Sequence, residues 1–295
     1  MSFEFDNVLI FGANGWMGRS AISTLINKSF VSSPHNLILI GSRNSHLNLA
    51  EGTFAIEHTH YFEELNDQVG VFLNAAFLRR ERLKAMSPQE YENQNNTISS
   101  IALRYLQRAK PKFFINLSSG AAAKNFDDPQ LDLYGKLKKS WEIKFEEECQ
   151  RSGVYFINCR IYSLTGRYIN EYENLALSNF LARTISDRSI NVQSPESRRT
   201  YIDSEDLCEL LFLLCSKNIE MTLDSGGVLT NMKDLASTVQ SAFNKSSLGM
   251  NLGNEAEVDY FGDFERFNSL MKLYGLKQKT LEEQILRTYL AFEKR

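Results

Sequence analysis

Ser119, Tyr134 and Lys138 are residue types that together can move a proton to or from a carbonyl oxygen. Tyr134 and Lys138 stand four apart in YGKLK, which puts a phenol and an ammonium on one face of a helix. Ser119 follows the apolar run KFFINL, in the sequence Ser118-Ser119-Gly120. The Lys138 charge would lower the pKa of Tyr134 from about 10, making a phenolate accessible nearer neutral pH. The Ser119 hydroxyl would hydrogen-bond the same substrate oxygen and stabilise the charge that develops on it. The chemistry is interconversion of a ketone and an alcohol, with a cofactor supplying the hydride. Tyr-xxx-Lys and Ser-Ser-Gly also recur by chance, and Lys136 and Lys139 make this helix basic. Taken alone, Lys138 is equally well one member of a solvated face.

The elements that must position these residues give the set its meaning. Asn7 to Arg19, NVLIFGANGWMGR, carries an apolar run into Gly12, Gly15 and Gly18. The pattern is a buried strand turning into a helix whose first N–H groups face a pyrophosphate. Gly12 allows the turn, Gly15 the approach of phosphate, and Gly18 the packing of helix on strand. A glycine triplet alone fits any strand–turn–helix. Leu37 to Ile40 is a second strand, ending in Gly41-Ser42-Arg43. A dinucleotide fold holds the adenosine ribose at this point, where an acid binds a 2′-OH and an arginine accommodates a 2′-phosphate. Ser42 and Arg43 without an acid favour NADP over NAD, the alternative being a solvated loop arginine. A third strand is expected over Phe54 to His58, and a fourth over Val69 to Asn74. The small residues of Asn74-Ala75-Ala76 would let a cofactor lie close to the backbone. A helix from Pro88 to Arg108 and a fifth strand from Lys112 to Leu117 lead to Ser119. Strands alternating with helices indicate a parallel sheet covered on both faces, with ligands at the carboxyl ends of the strands. Gly12, Ser42, Arg43, Asn74, Ala75, Ala76 and Ser119 all fall at those ends.

Composition narrows the function classes. The chain has 295 residues, 43% hydrophobic and 23% charged, as in ordinary globular proteins. A net charge of −3 without Lys/Arg runs argues against a nucleic-acid surface. The apolar run from Leu207 to Cys215 is interrupted by Glu209 and is too short to span a bilayer, so no membrane is expected. The opening MSFEFDN has two acids and no basic segment, unlike a signal peptide. Cys149, Cys159, Cys208 and Cys215 have no CxxC spacing and read as reduced, buried thiols of a cytoplasmic protein. His58 and His60 would share one strand face, but no further ligands accompany them, so no metal is expected.

The order of these motifs resembles the extended short-chain dehydrogenase/reductases, the NAD(P)-dependent epimerase/dehydratase group acting largely on nucleotide sugars. The resemblance spans nearly the whole chain. Gly12-Ala-Asn14-Gly15-Trp16-Met17-Gly18 looks like the family's glycine motif and Asn74-Ala75-Ala76 like its fourth-strand motif. Ser119, Tyr134 and Lys138 look like the catalytic set, with Glu142 following. In ENQNNT the family's helix asparagine best matches Asn93, with Asn95 and Asn96 as competitors in register. Cys159-Arg160-Ile-Tyr-Ser163-Leu-Thr-Gly166 is similar to the segment lining nicotinamide and substrate. Arg199 through Asp206 resembles the stretch whose arginine binds a sugar-nucleotide diphosphate, and Arg198 stands beside it. Leu273 to Leu276 and Thr280 to Glu283 resemble the C-terminal signature.

The resemblance implies a Rossmann-type, doubly wound α/β fold with a small C-terminal substrate-binding lobe. The cofactor domain would take residues 1–162, with about 200–217 returning to it, and the lobe mainly 163–295. It implies a non-covalent NADP(H) contacted by the glycine motif, Ser42, Arg43, Asn74, Ala75, Ala76, Asn93, Leu117, Tyr134 and Lys138. Ser119, Ser163 and Arg199 would meet the substrate; the oligomeric state is left open, although the family often forms homodimers through helices, which here would be those at 88–108 and 134–151. Several positions depart from the family pattern. Ser163 replaces a frequent Asn, Arg167 follows Gly166 where Pro is common, and HTHYFEEL lacks the usual adenine-pocket Asp. Gly120-Ala121 replaces the acidic pair of the 4,6-dehydratases, and dehydration needs those extra acid/base groups. An epimerase retains its cofactor, commonly NAD, whereas a reductase exchanges NADPH at every turnover. Ser42-Arg43 therefore tilts the expectation toward a 4-keto reductase of a nucleotide-linked 6-deoxy sugar. The alternatives are a broader carbonyl reductase, an epimerase, and a non-catalytic NADPH sensor or scaffold.

Overall fold

The computed structural model describes residues 4–65, 69–128, 131–169 and 175–293. In chain order the first half runs β1 (Val8–Phe11), α1 (Trp16–Asn27), β2 (Leu37–Gly41), β3 (Ser45–Leu49) and β4 (Gly52–His58). It continues through α2 (Tyr61–Glu64), β5 (Val71–Asn74), α3 (Pro88–Ala109), β6 (Phe113–Ser119), α4 (Leu133–Ser152) and β7 (Tyr155–Ile161). The second half holds β8 (Ser163–Thr165), α5 (Ala176–Ile185), β9 (Ile190–Val192), β10 (Arg198–Asp203), α6 (Ser204–Ser216) and β11 (Met221–Asp224). It ends with β12 (Val228–Asn231), α7 (Met232–Ala242), β13 (Met250–Leu252), α8 (Phe264–Leu273) and α9 (Leu281–Glu293). Two units emerge: Met1–Ile161 with Cys208–Leu223, and Tyr162–Leu207 with Asp224–Arg295, the division falling inside α6.

The first unit is a Rossmann-type sheet in the order β11-β7-β6-β5-β1-β2-β4-β3. The pairs from β4 through β2, β1, β5 and β6 to β7 are parallel. Val8 and Ile10 are as fully buried as Leu9 and Phe11, so both faces are covered, which is why β1 reads as a continuous apolar run. On one face Phe72, Phe114 and Phe156 stack against Tyr105 and Leu106 of α3 and Trp141 and Phe145 of α4. Strand order reverses at β1, between β2 and β5, which is where doubly wound sheets open a crevice for ligands.

The strand expected over Phe54 to His58 proves to be the second arm of an antiparallel hairpin with β3. Sequence reading missed β3 because SHLNL buries only Leu47 and offers little apolar patterning. The second unit carries the small sheets β12-β10-β8 and β13-β9. Helices α5, α7 and α9 close over Leu181, Ile190, Val239 and Ile285. Asp203, fully buried on β10, accepts from Arg287 Nε of α9 at 2.8 Å, anchoring that helix.

Candidate active site

β6 ends at Ser119, whose Oγ accepts from Ala121 N at 3.3 Å as the chain turns through Gly120–Ala123. α4 then starts on Asp132, whose Oδ1 caps the helix by accepting from Gly135 N at 2.9 Å. A Cβ on Gly135 would lie 2.8 Å from the Ala121 carbonyl oxygen, so glycine there lets α4 approach the turn that follows Ser119. Tyr134 and Lys138 ride the first turns of this closely packed helix, and Tyr134 is half-buried.

Lys138 is buried, and its Nζ donates to the Leu117 carbonyl at 2.8 Å. The same nitrogen lies 4.1 Å from the centroid of Phe77, whose ring meets Tyr134 nearly edge-on at 5.9 Å. Burial draws the Lys138 pKa down to about 7, against the opposing pull of Glu142. Glu142, one turn further on the same face, is buried and grips Arg160 of β7, with Nη2 to Oε2 at 2.8 Å. The glycine between Tyr134 and Lys138 and the i, i+4 spacing are sequence signals. The part played by Phe77 is not, because it depends on how the segment after β5 folds back.

The turn after β1 has the features of an anion cradle. Gly12 has φ +90°, and a Cβ there would lie 2.8 Å from the Ala75 carbonyl carbon, so the β1 and β5 exits meet backbone to backbone. Ala75 N donates to the Phe11 carbonyl at 2.8 Å. Gly15 caps α1 without any side-chain hydrogen bond, and no acid occupies the first turn, which leaves its N–H groups and the positive helix end for an anion. Trp16 and Met17 are half-buried at the start of α1, and Asn14 Nδ2 donates to Ser45 Oγ at 3.2 Å. Ser42 and Arg43 are exposed just beyond β2, with no acid among Gly41 to Asn44. These residues fit a dinucleotide cofactor.

Behind the β5 exit runs a buried amide ladder. Asn74 Nδ2 donates to Asn116 Oδ1 at 3.1 Å, and Asn116 Nδ2 donates to Asn158 Oδ1 at 2.8 Å. The three are register partners on β5, β6 and β7. Of the asparagines in ENQNNT, Asn93 is exposed and accepts from Gln89. The buried one is Asn95, whose Oδ1 accepts from Leu78 N at 2.8 Å, while Asn96 accepts from Trp141 Nε1. Helical phase favours Asn95 because it follows the buried Tyr91 by four positions.

In the second unit, a cavity of about 570 Å³ is lined by Asn179 and Arg183 of α5, Asn191 and Gln193, Arg199 of β10 and Glu255. The Nε of Arg199 is itself buried, with no hydrogen-bond partner among the described residues. Its neighbour Arg198 is exposed and bound to Asp259, Nε to Oδ2 at 3.0 Å. Ser163 lies on β8, paired in register with Tyr201, and does not line the cavity. Among the described residues no His/Cys/Asp/Glu cluster could hold a metal ion. No described helix is long and apolar enough to cross a membrane.

A family model described as the NAD dependent epimerase/dehydratase family matches residues 8–222. No curated protein matches the chain in sequence. Among solved structures, the chain is similar to a UDP-glucose 4-epimerase of Thermotoga maritima bound to UDP-glucose, at 18% identity, TM-score 0.73, and coverage of 98% of this chain and 99% of the other. It is similar to a UDP-N-acetylglucosamine 4-epimerase of Methanobrevibacter ruminantium in complex with UDP-N-acetylmuramic acid, at 15% identity, TM-score 0.75 and 99% of each chain. A Thermus thermophilus UDP-glucose 4-epimerase in complex with NAD matches at 14% identity and TM-score 0.71, over 97% of this chain and 99% of the other. At such identities the likeness is one of fold.

Proposed function

The chain belongs to the NAD dependent epimerase/dehydratase family, and from that premise we propose that it is an NADPH-dependent reductase of the 4-keto group of a nucleotide-linked 6-deoxy sugar. The observation that carries the reductase reading is Ser42-Arg43, exposed at the end of β2 with no acid beside them. A guanidinium there suits a 2′-phosphate, and reductive biosynthesis draws on NADPH. When bound, NADPH supplies the hydride. Gly12, Asn14, Gly15, Trp16, Met17 and Gly18 would hold its pyrophosphate, and Ser42 and Arg43 its 2′-phosphate. Asn74, Ala75, Ala76, Leu117 and Lys138 would border the nicotinamide half, with Asn93 or Asn95 from α3. Ser119 hydrogen-bonds the substrate carbonyl oxygen and Tyr134 delivers the proton to it. Arg199, which lines the cavity of the second unit and has a buried Nε without a hydrogen-bond partner, is the group suited to a nucleotide diphosphate. The four buried free cysteines support a reducing, cytoplasmic setting.

A panel of dTDP-, CDP-, GDP- and UDP-linked 4-keto sugars, mixed with protein and NADPH, tests the reading by loss of nicotinamide absorbance. Turnover that Tyr134→Phe abolishes while NADPH still binds is the expected result. Tight NADPH binding with no turnover of any ketone would instead assign a sensor. The second reading, an epimerase, is favoured by the 4-epimerases among the similar structures, one of them in complex with NAD. Purified protein that carries NAD and interconverts two sugars without net oxidation would decide for it.

A further inference from the structure

The segment after β5 brings a second cation to Tyr134. Arg80 opens the single helical turn Arg80–Lys84, and its guanidinium carbon lies 5.2 Å from the centroid of the Tyr134 ring. Arg80 Nε stands 2.9 Å from Asp132 Oδ2. Asp132 also caps α4, its Oδ1 accepting from Gly135 N. One carboxylate therefore fixes both the helical turn that carries Tyr134 and the guanidinium laid against its ring.

We propose that Arg80 is an electrostatic positioning residue for Tyr134, its guanidinium favouring the phenolate and so setting the strength of the proton donor. The inference rests on the proton-donor role proposed for Tyr134. A phenolate ring is richer in π electrons than a phenol, so a cation near the ring stabilises the ionised form more than the neutral one. A guanidinium keeps its charge at every pH at which the protein is folded, which the buried Lys138 does not. The other groups around Tyr134 set the balance. From the helix start, Asp132 opposes ionisation at short range, and its ion pair with Arg80 offsets part of the charge of each, while the face of the guanidinium lies toward the ring. From α3, Tyr91 donates its hydroxyl to the Leu78 carbonyl at 2.6 Å, and burial together with Tyr134 holds it above the ordinary tyrosine range, so it adds no charge. Glu81 is half-buried beside Arg80 and opposes ionisation of the neighbouring Tyr91, whereas Phe77 offers only its ring. Lys138, four residues further along α4, feels the charge of Glu142, which itself grips Arg160. The arrangement lets Lys138 be neutral before cofactor arrives without leaving Tyr134 unassisted.

The test needs no substrate. Ultraviolet titration of tyrosinate, wild type minus Tyr134→Phe, reads the ionisation of Tyr134 by itself. Arg80→Met is expected to raise that midpoint by about one pH unit, a tenfold change in proton affinity. Arg80→Lys, which keeps the charge without the planar face, should fall between the two. The Arg80 side chain is 51% exposed and an exposed ion pair adds little to stability, so these variants should fold, which circular dichroism would verify. An unmoved midpoint in Arg80→Met overturns the inference, and a lysine variant indistinguishable from methionine overturns charge as the cause. Turnover on the 4-keto panel separates the two levels. A Tyr134→Phe enzyme that still reduces substrate brings down both readings. A dead Tyr134→Phe with an unmoved midpoint in Arg80→Met brings down only the role of Arg80.

Discussion

Lys138 and Phe77 meet face to charge: the ammonium nitrogen lies 4.1 Å from the ring centroid while it donates to the Leu117 carbonyl at 2.8 Å. One carbonyl and one ring replace the full hydration shell of an ammonium, and the pKa falls to about 7. An unfolded chain keeps this proton up to the ordinary lysine range. Between about 7 and that range the unfolded state binds more protons, so the contribution of Lys138 makes stability rise with pH. Below that window the folded protein carries the full cost of a buried charge. Lys138→Met should therefore raise the melting temperature of cofactor-free protein most at about pH 6, with the gain shrinking toward alkaline pH, while it abolishes turnover. A melting difference that stays constant across pH would show that the ammonium is not desolvated as described.

The two backbone approaches that shape the site are open to single methyl tests. Gly12→Ala adds a Cβ 2.8 Å from the Ala75 carbonyl carbon at a φ of +90°, and Gly135→Ala adds one 2.8 Å from the Ala121 carbonyl oxygen. Each should cost about 2 kcal/mol or more in urea unfolding, because backbone rather than a flexible side chain must give way. Gly12→Ala should also weaken dinucleotide binding. Wild-type stability in either variant would mean that the two exits lie further apart.

Arg43→Ala should weaken NADPH by about ten- to a hundredfold, the value of a charge-assisted hydrogen bond to phosphate, and leave NADH nearly unchanged. Fluorescence titration with the two cofactors measures the ratio. Equal losses for both would sink the 2′-phosphate assignment and, with it, the main argument for a reductase.

Arg199 and Arg198 are adjacent in sequence, yet the former faces a cavity and the latter holds Asp259 at the surface. Calorimetry with a nucleoside diphosphate should show at least about a tenfold loss of affinity in Arg199→Met, whereas Arg198→Ala stays close to wild type. NADPH affinity should be untouched in both. The reverse order of effects would move the diphosphate site out of this cavity.

The asparagine ladder should behave as a unit. Replacing Asn116 by Leu strands Asn74 Nδ2 and Asn158 Oδ1, both in buried side chains, and should cost about 2–4 kcal/mol. A double-mutant cycle between Asn74 and Asn158 should show coupling although no hydrogen bond joins them directly. Additive losses would reduce the ladder to two independent bonds.

What could be read from residues alone was what depends on short sequence separation. The turn at Gly12, the i, i+4 pair of Tyr134 and Lys138, the serine ending β6 and the alternation of strands and helices are all written within single elements. The period of apolar residues and the demands of a tight turn act locally. The parallel, doubly wound class, the family and the face on which Tyr134 and Lys138 stand follow from them.

Tertiary structure decided whatever joins distant segments. β3 buries one side chain, and is a strand only because β4 lies beside it. Asn95 rather than Asn93 is buried because α3 turns that face toward Leu78. Phe77 and Arg80 flank Tyr134 only after the segment following β5 folds across α4. Which of two adjacent arginines enters a cavity built from α5, β9, β10 and the loop after β13 is settled by packing across the second unit. The reason is the same in each case. A side chain's charge state and partners are set by desolvation and neighbours, and for a residue such as Lys138 those neighbours lie far along the chain.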